Sequence, residues 1–339
     1  MTDSTKSKMV GYVKLVIKLV FAIALITYLV RSGKLDFNLI TEVLKTNRWI
    51  YAIIIVFFQI ALNSYRWKLL IELKSKAKIS LTKVFSVTWI GLFFNSFLPG
   101  AVTGDFVKVY YAKKLDDSLT KTYLLLSAFM DRFLGLMGLL MLMGSISLIQ
   151  YGELASRSAQ LKNLVHFNGL MFLGALAALS TIFLGKNIQA FILTWLKKIP
   201  VLGEKVANAF EQVWLMGSNP VVVLKCLGLS LIGQSMNIMC FWMMTSPFYD
   251  QALSFMNVFT FVPLGLIAVA IPITPAGIGV GHAAFDKLFE IYNVSGGASL
   301  FNVYFVIYLV VNSFGLIPFL ASGKRPDLSE LEEMEGSTN

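Results

Sequence analysis

Leu98-Pro99-Gly100-Ala101-Val102-Thr103-Gly104-Asp105 and Pro272-Ile273-Thr274-Pro275-Ala276-Gly277-Ile278-Gly279-Val280-Gly281-His282 each break a long apolar run, one in either half of the chain. Proline removes a backbone donor, and glycine weakens a helix and permits left-handed backbone. At membrane depth every amide that leaves a helix loses its partner, at several kcal/mol in hydrocarbon, unless protein or a water-filled cavity surrounds it. Matched interruptions therefore predict a polar path between two halves of a membrane protein, the layout of carriers.

The flanking sequence supports a membrane setting. Hydrophobic residues make up 56% of the 339 and charged residues 14%, which excludes an ordinary soluble domain. Segments near Tyr12 to Val30, Trp49 to Tyr65, Thr122 to Gln150, His166 to Leu184, Val221 to Thr245 and Ser299 to Leu320 each hold roughly the 17 to 25 apolar residues that cross about 30 Å of hydrocarbon. Two further stretches, Val84 to Tyr111 and Leu253 to Tyr292, are split at their centres by the Pro/Gly breaks and read as re-entrant hairpins. The predicted fold is an all-α integral membrane protein with six full transmembrane helices and two re-entrant helical hairpins.

Lys and Arg assign the sides. With a cytoplasmic N-terminus and two re-entrant hairpins, one side collects Arg66, Lys68, Lys74 to Lys83, Lys113 to Lys121, Lys186 to Lys205 and Lys324-Arg325. Arg31, Lys34, Lys45, Arg48, Arg157 and Lys162 fall on the other side, and those in the first outer loop run against the rule. The net charge of +10 is then a record of topology and of anionic lipid at the inner surface, with no nucleic-acid partner implied. Residues 1–150 read as helix, helix, hairpin, helix from the cytoplasm, and residues 151–322 repeat that order from outside. The two halves form inverted-topology repeats whose hairpins, about 84–111 and 253–292, dip in from opposite sides. Residues 323–339 read as a disordered acidic cytoplasmic tail. Gly185 to Leu215 reads as an amphipathic helix or elbow on the cytoplasmic surface.

Cys226 and Cys240 lie on one predicted helix about 21 Å apart, too far to bond. No zinc spacing, Walker loop, nucleophile elbow or metalloprotease helix is present, so no metal, cofactor or catalytic set is expected. The first apolar run carries no cleavage pattern and is expected to remain as an anchored helix. No soluble catalytic domain is expected after the membrane part.

Ionisable residues at membrane depth carry the functional reading, because each costs about 2.5 to 3.5 kcal/mol at a helix centre. Asp131 and Arg132 stand roughly 14 Å into their helix. They either form an ion pair that ties this helix to a neighbouring hairpin, or Arg132 binds a lipid phosphate with its planar fork while Asp131 orients it. Around the first break Asn95, Asp105 and Lys108 cluster. Asp105 is the natural cap of the returning helix, and Lys108, one turn on, either serves a phosphate or pairs with Asp105. After the second break His282, Asp286 and Glu290 share one helical face, as a cavity lining would. His282 either packs and hydrogen-bonds or couples a proton. Gln234, Asn237, Asn302 and Asn312 read as interhelical hydrogen bonds or as ligands.

Asn95-Ser96-Phe97-Leu98-Pro99-Gly100 with Gly104-Asp105 and Lys108, Arg66-Trp67, Asp131-Arg132, and Pro272 through Gly279 together resemble the lysylphosphatidylglycerol synthase transmembrane family, also called the flippase-like domain family. The resemblance covers nearly the whole membrane part. It implies two inverted halves that move an anionic phospholipid or a polyprenyl-phosphate-linked glycolipid between leaflets of a prokaryotic cytoplasmic membrane, both termini cytoplasmic. Lys108 stands where the pattern has Arg, and His282 where it has an acidic residue. The expected substrate-binding residues are Arg66, Asn95, Asp105, Lys108, Asp131, Arg132, Gln234, Asn237, His282 and Asp286. The expected structural breaks are Pro99, Gly100, Gly104, Pro272, Pro275, Gly277, Gly279 and Gly281. Alternatives are a membrane-embedded transferase using a lipid phosphate donor, and an accessory partner of a glycosyltransferase. Self-association is left open.

Overall fold

The computed structural model describes residues 27, 38–97, 103–198, 203–249, 253–271, 277 and 279–322. The expected first span at Tyr12 to Val30, apart from Thr27, lies outside the described residues, as do the tail 323–339 and the prolines Pro99, Pro272 and Pro275 with Gly100. Among the described residues there is no strand. The helices are α1 Asn38–Leu44, α2 Arg48–Ile71, α3 Leu81–Phe97, α4 Thr103–Lys113, α5 Lys121–Ile149, α6 Tyr151–Arg157, α7 Ala159–Ser180, α8 Lys186–Leu196, α9 Gly203–Gly217, α10 Pro220–Thr245, α11 Phe255–Ala270, α12 Val280–Glu290, α13 Gly297–Ser313 and α14 Leu316–Ala321.

Five helical stretches are long and apolar enough to cross a membrane: Arg48–Ile71, Lys121–Ile149, Ala159–Phe183, Pro220–Phe248 and Gly297–Ala321. They coincide with the five expected spans that fall within the described residues. Local signals set their ends. Thr120 caps α5 by accepting from the Tyr123 amide, and Ser158 caps α7 by accepting from Leu161. Ser254 and Asn257 close a reciprocal capping box on α11. The two interrupted stretches each give a helix pair, α3 with α4 and α11 with α12. The expected helix or elbow at Gly185 to Leu215 holds two helices, α8 and α9.

Two compact units divide the chain: residues 1–58, 86–108 and 236–339 form the first, and 59–85 with 109–235 the second. Each draws on both halves of the sequence. In lipid, helices gain little by hiding apolar surface from one another, so close packing and interhelical hydrogen bonds hold them together. The second unit shows this around α5. A Cβ at Gly144 would overlap Phe172 of α7, and one at Gly138 would overlap Ser230 of α10. Asn168 donates to Ser147, Trp67 to Ser127, and the Tyr123 hydroxyl to the Leu70 carbonyl.

The first unit is built on α13. Phe241, Phe261, Phe285, Phe289 and Phe301 are fully buried, and the Phe285 and Phe301 rings stack at 4.8 Å. Gly265 of α11 lies against Phe285, and Gly297 lies against the Phe285 carbonyl. The far end of α13 holds α3: Trp89 donates to the Val311 carbonyl at 3.0 Å, and Asn312 donates to Ser96 at 2.9 Å.

Candidate functional site

Within the first unit, α13 carries contacts to both interrupted helix pairs. Asn312 meets Ser96 of α3, and Asn302 meets His282 of α12. These asparagines are ten positions apart on α13, about 15 Å along its axis. Asn302 is therefore a site residue in its own right, a bridge from α13 to the residues after the second break.

The first pair owes its shape to small residues. A Cβ at Gly104 would lie on the Gly91 carbonyl and on the Asn95 side chain, so α3 and α4 approach closely only because both positions are glycine. Asn95 Oδ1 accepts from the Gly104 amide at 2.8 Å, pairing one of the donors that a helix start leaves open. Asp105 is not the cap expected from the sequence: α4 begins at Thr103, which puts Asp105 inside the first turn, where its charge still suits the positive end of the helix. Lys108, one turn on, is buried, with its Cβ beside Gly91.

The second pair turns on glycines with positive φ, Gly277 at 70° and Gly279 at 84°. At Gly277 a Cβ would also meet Val269, and Gly281 is held against Phe301 and Val269. The Gly279 amide donates to His282 Nδ1 at 3.2 Å. Because Nδ1 accepts, the neutral imidazole carries its proton on Nε2, which faces Asn302 Oδ1 at 3.5 Å. His282 is 2% exposed, Asp286 is buried one turn on, and Asn302 Nδ2 has no hydrogen-bond partner among the described residues. The shared face expected for His282, Asp286 and Glu290 ends before Glu290, which is exposed and paired with Lys287. Asn237 Oδ1 accepts from the hydroxyls of Tyr304 and Tyr308, so it joins α10 to α13.

Arg66, Asp131 and Gln234 come together in the second unit. Arg66 Nε donates to Asp131 Oδ1 at 2.7 Å, and Nη1 donates to Ser230 Oγ at 2.9 Å. The guanidinium lies along Gly135, and Gln234 Nε2 donates to the Gly135 carbonyl at 3.1 Å, while its buried Oε1 has no partner among the described residues. Arg66 and Asp131 are 6% and 7% exposed, so the charges are satisfied by each other and by Ser230. The pairing read from the sequence is thus corrected: Asp131 serves Arg66, sixty-five positions away, while Arg132 is on an exposed face between Phe129 and Leu136. Consecutive helical residues differ by about 100° around the axis, which already places Asp131 and Arg132 on different faces. Ser230 gave no signal in the sequence, because a serine in an apolar helix bonds its own turn as readily as a neighbour.

Among the described residues no group of His, Cys, Asp and Glu could hold a metal. The family model described as Lysylphosphatidylglycerol synthase TM region matches residues 15–320. No curated protein and no solved structure matches.

Proposed function

Because this chain belongs to the lysylphosphatidylglycerol synthase TM region family, a family of multi-pass membrane domains tied to lipid, we propose that it moves a phosphate-bearing membrane lipid between leaflets. The substrate class is an anionic phospholipid or a polyprenyl-phosphate-linked glycolipid. The observation that carries this reading is the polar lining of the two interrupted helix pairs. Lys108 and Asp105 stand on α4 of one, His282 and Asp286 on α12 of the other, and Lys108, His282 and Asp286 are buried.

Both pairs are re-entrant hairpins in this reading. The returning arms α4 and α12 have 11 residues each, about 17 Å, little more than half the hydrocarbon thickness. Ser75, ahead of α3, donates to Asp116, after α4, and Thr260 near the start of α11 bonds Tyr292 just past α12. Each segment therefore closes on itself, as a hairpin does. The halves are inverted repeats, the membrane is the cytoplasmic membrane of a prokaryote, and both termini are cytoplasmic.

In the working cycle the headgroup sits in the polar lining while the tails stay in lipid. Lys108 supplies charge to the phosphate, with the start of α4 adding its partial positive charge. Arg132, on the exposed face of α5, takes the phosphate on the lipid side, where a planar fork fits two of its oxygens. Asp105, Asp286 and His282 accept headgroup hydroxyls or orient the cations. Arg66 with Asp131 holds α2, α5 and α10 rather than the substrate. Rocking of one repeat against the other changes which side is open, and net uphill movement draws on an ion or proton gradient.

The test is exchange of labelled anionic lipids and one polyprenyl phosphate in vesicles holding the purified chain, read by a quencher confined to the outer leaflet. Lys108→Gln and Arg132→Gln each lower exchange by at least about tenfold, the loss of one charge-assisted contact, at unchanged incorporation. Absence of exchange for every lipid, with and without a proton gradient, overturns transport. A new covalent product from a lipid phosphate donor would show a transferase instead.

A further inference from the structure

Helix α8 stands apart from the rest of the second unit. None of its 11 residues is buried, although its sequence is largely apolar. Ile188, Phe191 and Trp195 recur at helical spacing on one face, and Phe191 and Trp195 are 64% and 59% exposed. Such a face needs a cover. The position of α8 names it: the span Ala159–Phe183 ends three residues before α8 begins, which starts α8 at the edge of the hydrocarbon layer. At about 17 Å the helix is too short to cross. It is instead fixed to the surface. Lys197 pairs with Glu211 of α9 at 3.5 Å, and α9 is anchored to the end of that span by Trp214, which donates to the Thr181 carbonyl at 3.0 Å.

We propose that α8 lies in the headgroup layer and gathers anionic phospholipid from that leaflet, on Lys186 and Lys198 at its two ends. The charges complement such a surface. Lys186 opens the helix and Lys198 follows its last turn, held over the Trp195 ring at 4.9 Å, so cations flank the apolar face. An apolar stripe with basic residues beside it is the pattern of helices that lie in the plane of a charged bilayer. Lys74 extends the basic surface by donating to Gln212 of α9 at 3.3 Å, which brings the lysine-rich loop after α2 alongside. This lipid is a fixed peripheral ligand, distinct from one carried between leaflets, and the proposal stands whether or not transport does.

Trp195 reports directly. The full chain is placed in nanodiscs in which a fixed fraction of the lipid is chain-brominated, either phosphatidylglycerol or phosphatidylcholine, and the Trp195 signal is taken as the wild-type emission minus that of Trp195→Phe. The expected result is quenching by both lipids, with phosphatidylglycerol enriched at the ring about fivefold, the factor that one lysine near an anionic surface supplies. In Lys186→Gln/Lys198→Gln the preference falls to parity, while emission of the remaining tryptophans stays as in the parent and shows that the fold is kept. Equal quenching of the wild type by the two lipids would reduce α8 to an apolar anchor and overturn the proposal. No quenching by either would overturn it too, since the face would then be covered by protein, a second copy of the chain included.

Discussion

Arg66 and Asp131 show at the scale of a single residue why a charge survives inside apolar helices. Removing two ions from water costs several kcal/mol each, and their attraction offsets this only when the geometry is good and the remaining donors are used. Here Nε goes to Asp131 and Nη1 to Ser230, and Gly135 leaves room for the flat guanidinium. Removing one partner strands the other, so Asp131→Leu or Arg66→Met lowers stability by about 3 to 5 kcal/mol. The joint replacement is milder than either, because no charge is left unpaired. Equilibrium unfolding in detergent measures both, and two neutral single variants would refute the pairing. The sequence supplied the identities of Arg66 and Asp131 but not the pair, because helix periodicity relates neighbours a turn apart and says nothing of residues on different helices. The same periodicity, applied to Asp131 and Arg132, does separate them onto different faces.

At the scale of an element, the α3–α4 pair depends on one contact at each of its ends. At its tip side, Gly104 meets the Gly91 carbonyl, and because that neighbour is backbone it cannot swing away from an added methyl. Gly104→Ala therefore forces the helices apart, at about 1 to 3 kcal/mol for overpacking, and breaks the Asn95 hydrogen bond. A melting midpoint unchanged by Gly104→Ala would mean that the helices do not approach this closely. Where the pair joins the loops, Asp116 accepts from the Ser75 hydroxyl and from the amides of Lys76, Ala77 and Ser118. These donors favour the carboxylate, first among them Ser75, and hold Asp116 well below the ordinary carboxylate range. Since the folded value is depressed, the stabilisation is present above the unfolded value of about 3.9 and is lost as pH falls further, through the folded value. The midpoint of wild type thus exceeds that of Asp116→Asn at pH 7, and the gap narrows below about pH 4. A gap that persists undiminished at pH 3 would assign the effect to something other than the carboxylate. The helix pairs were legible in the sequence because proline and glycine act locally, whereas this clasp joins loops some forty positions apart.

For the whole molecule the deciding question is how many times the chain crosses the bilayer, because every loop beyond a mistaken crossing changes side. Five candidate spans were legible, since length and apolar content alone set them. Hydropathy does not distinguish a hairpin from a span, as α3 with α4 together hold enough apolar residues for either. The paired ends argue for hairpins: a segment that spanned could not bring Ser75 within hydrogen-bond distance of Asp116, as the chain would leave α4 on the far side. Cysteines at exposed positions turn this into a measurement, because the native Cys226 and Cys240 are both buried. Lys76→Cys and Lys114→Cys bracket the first pair, and Pro247→Cys and Ser295→Cys bracket the second. If both pairs are re-entrant, an impermeant thiol reagent reaches 76 and 114 from one side of sealed vesicles and 247 and 295 from the other, since three spans, α5, α7 and α10, lie between the brackets. Opposite labelling within a bracket would make that segment a crossing. It would move the later loops across the membrane, weaken the Lys/Arg bias, and remove the inverted repeat on which movement between leaflets rests.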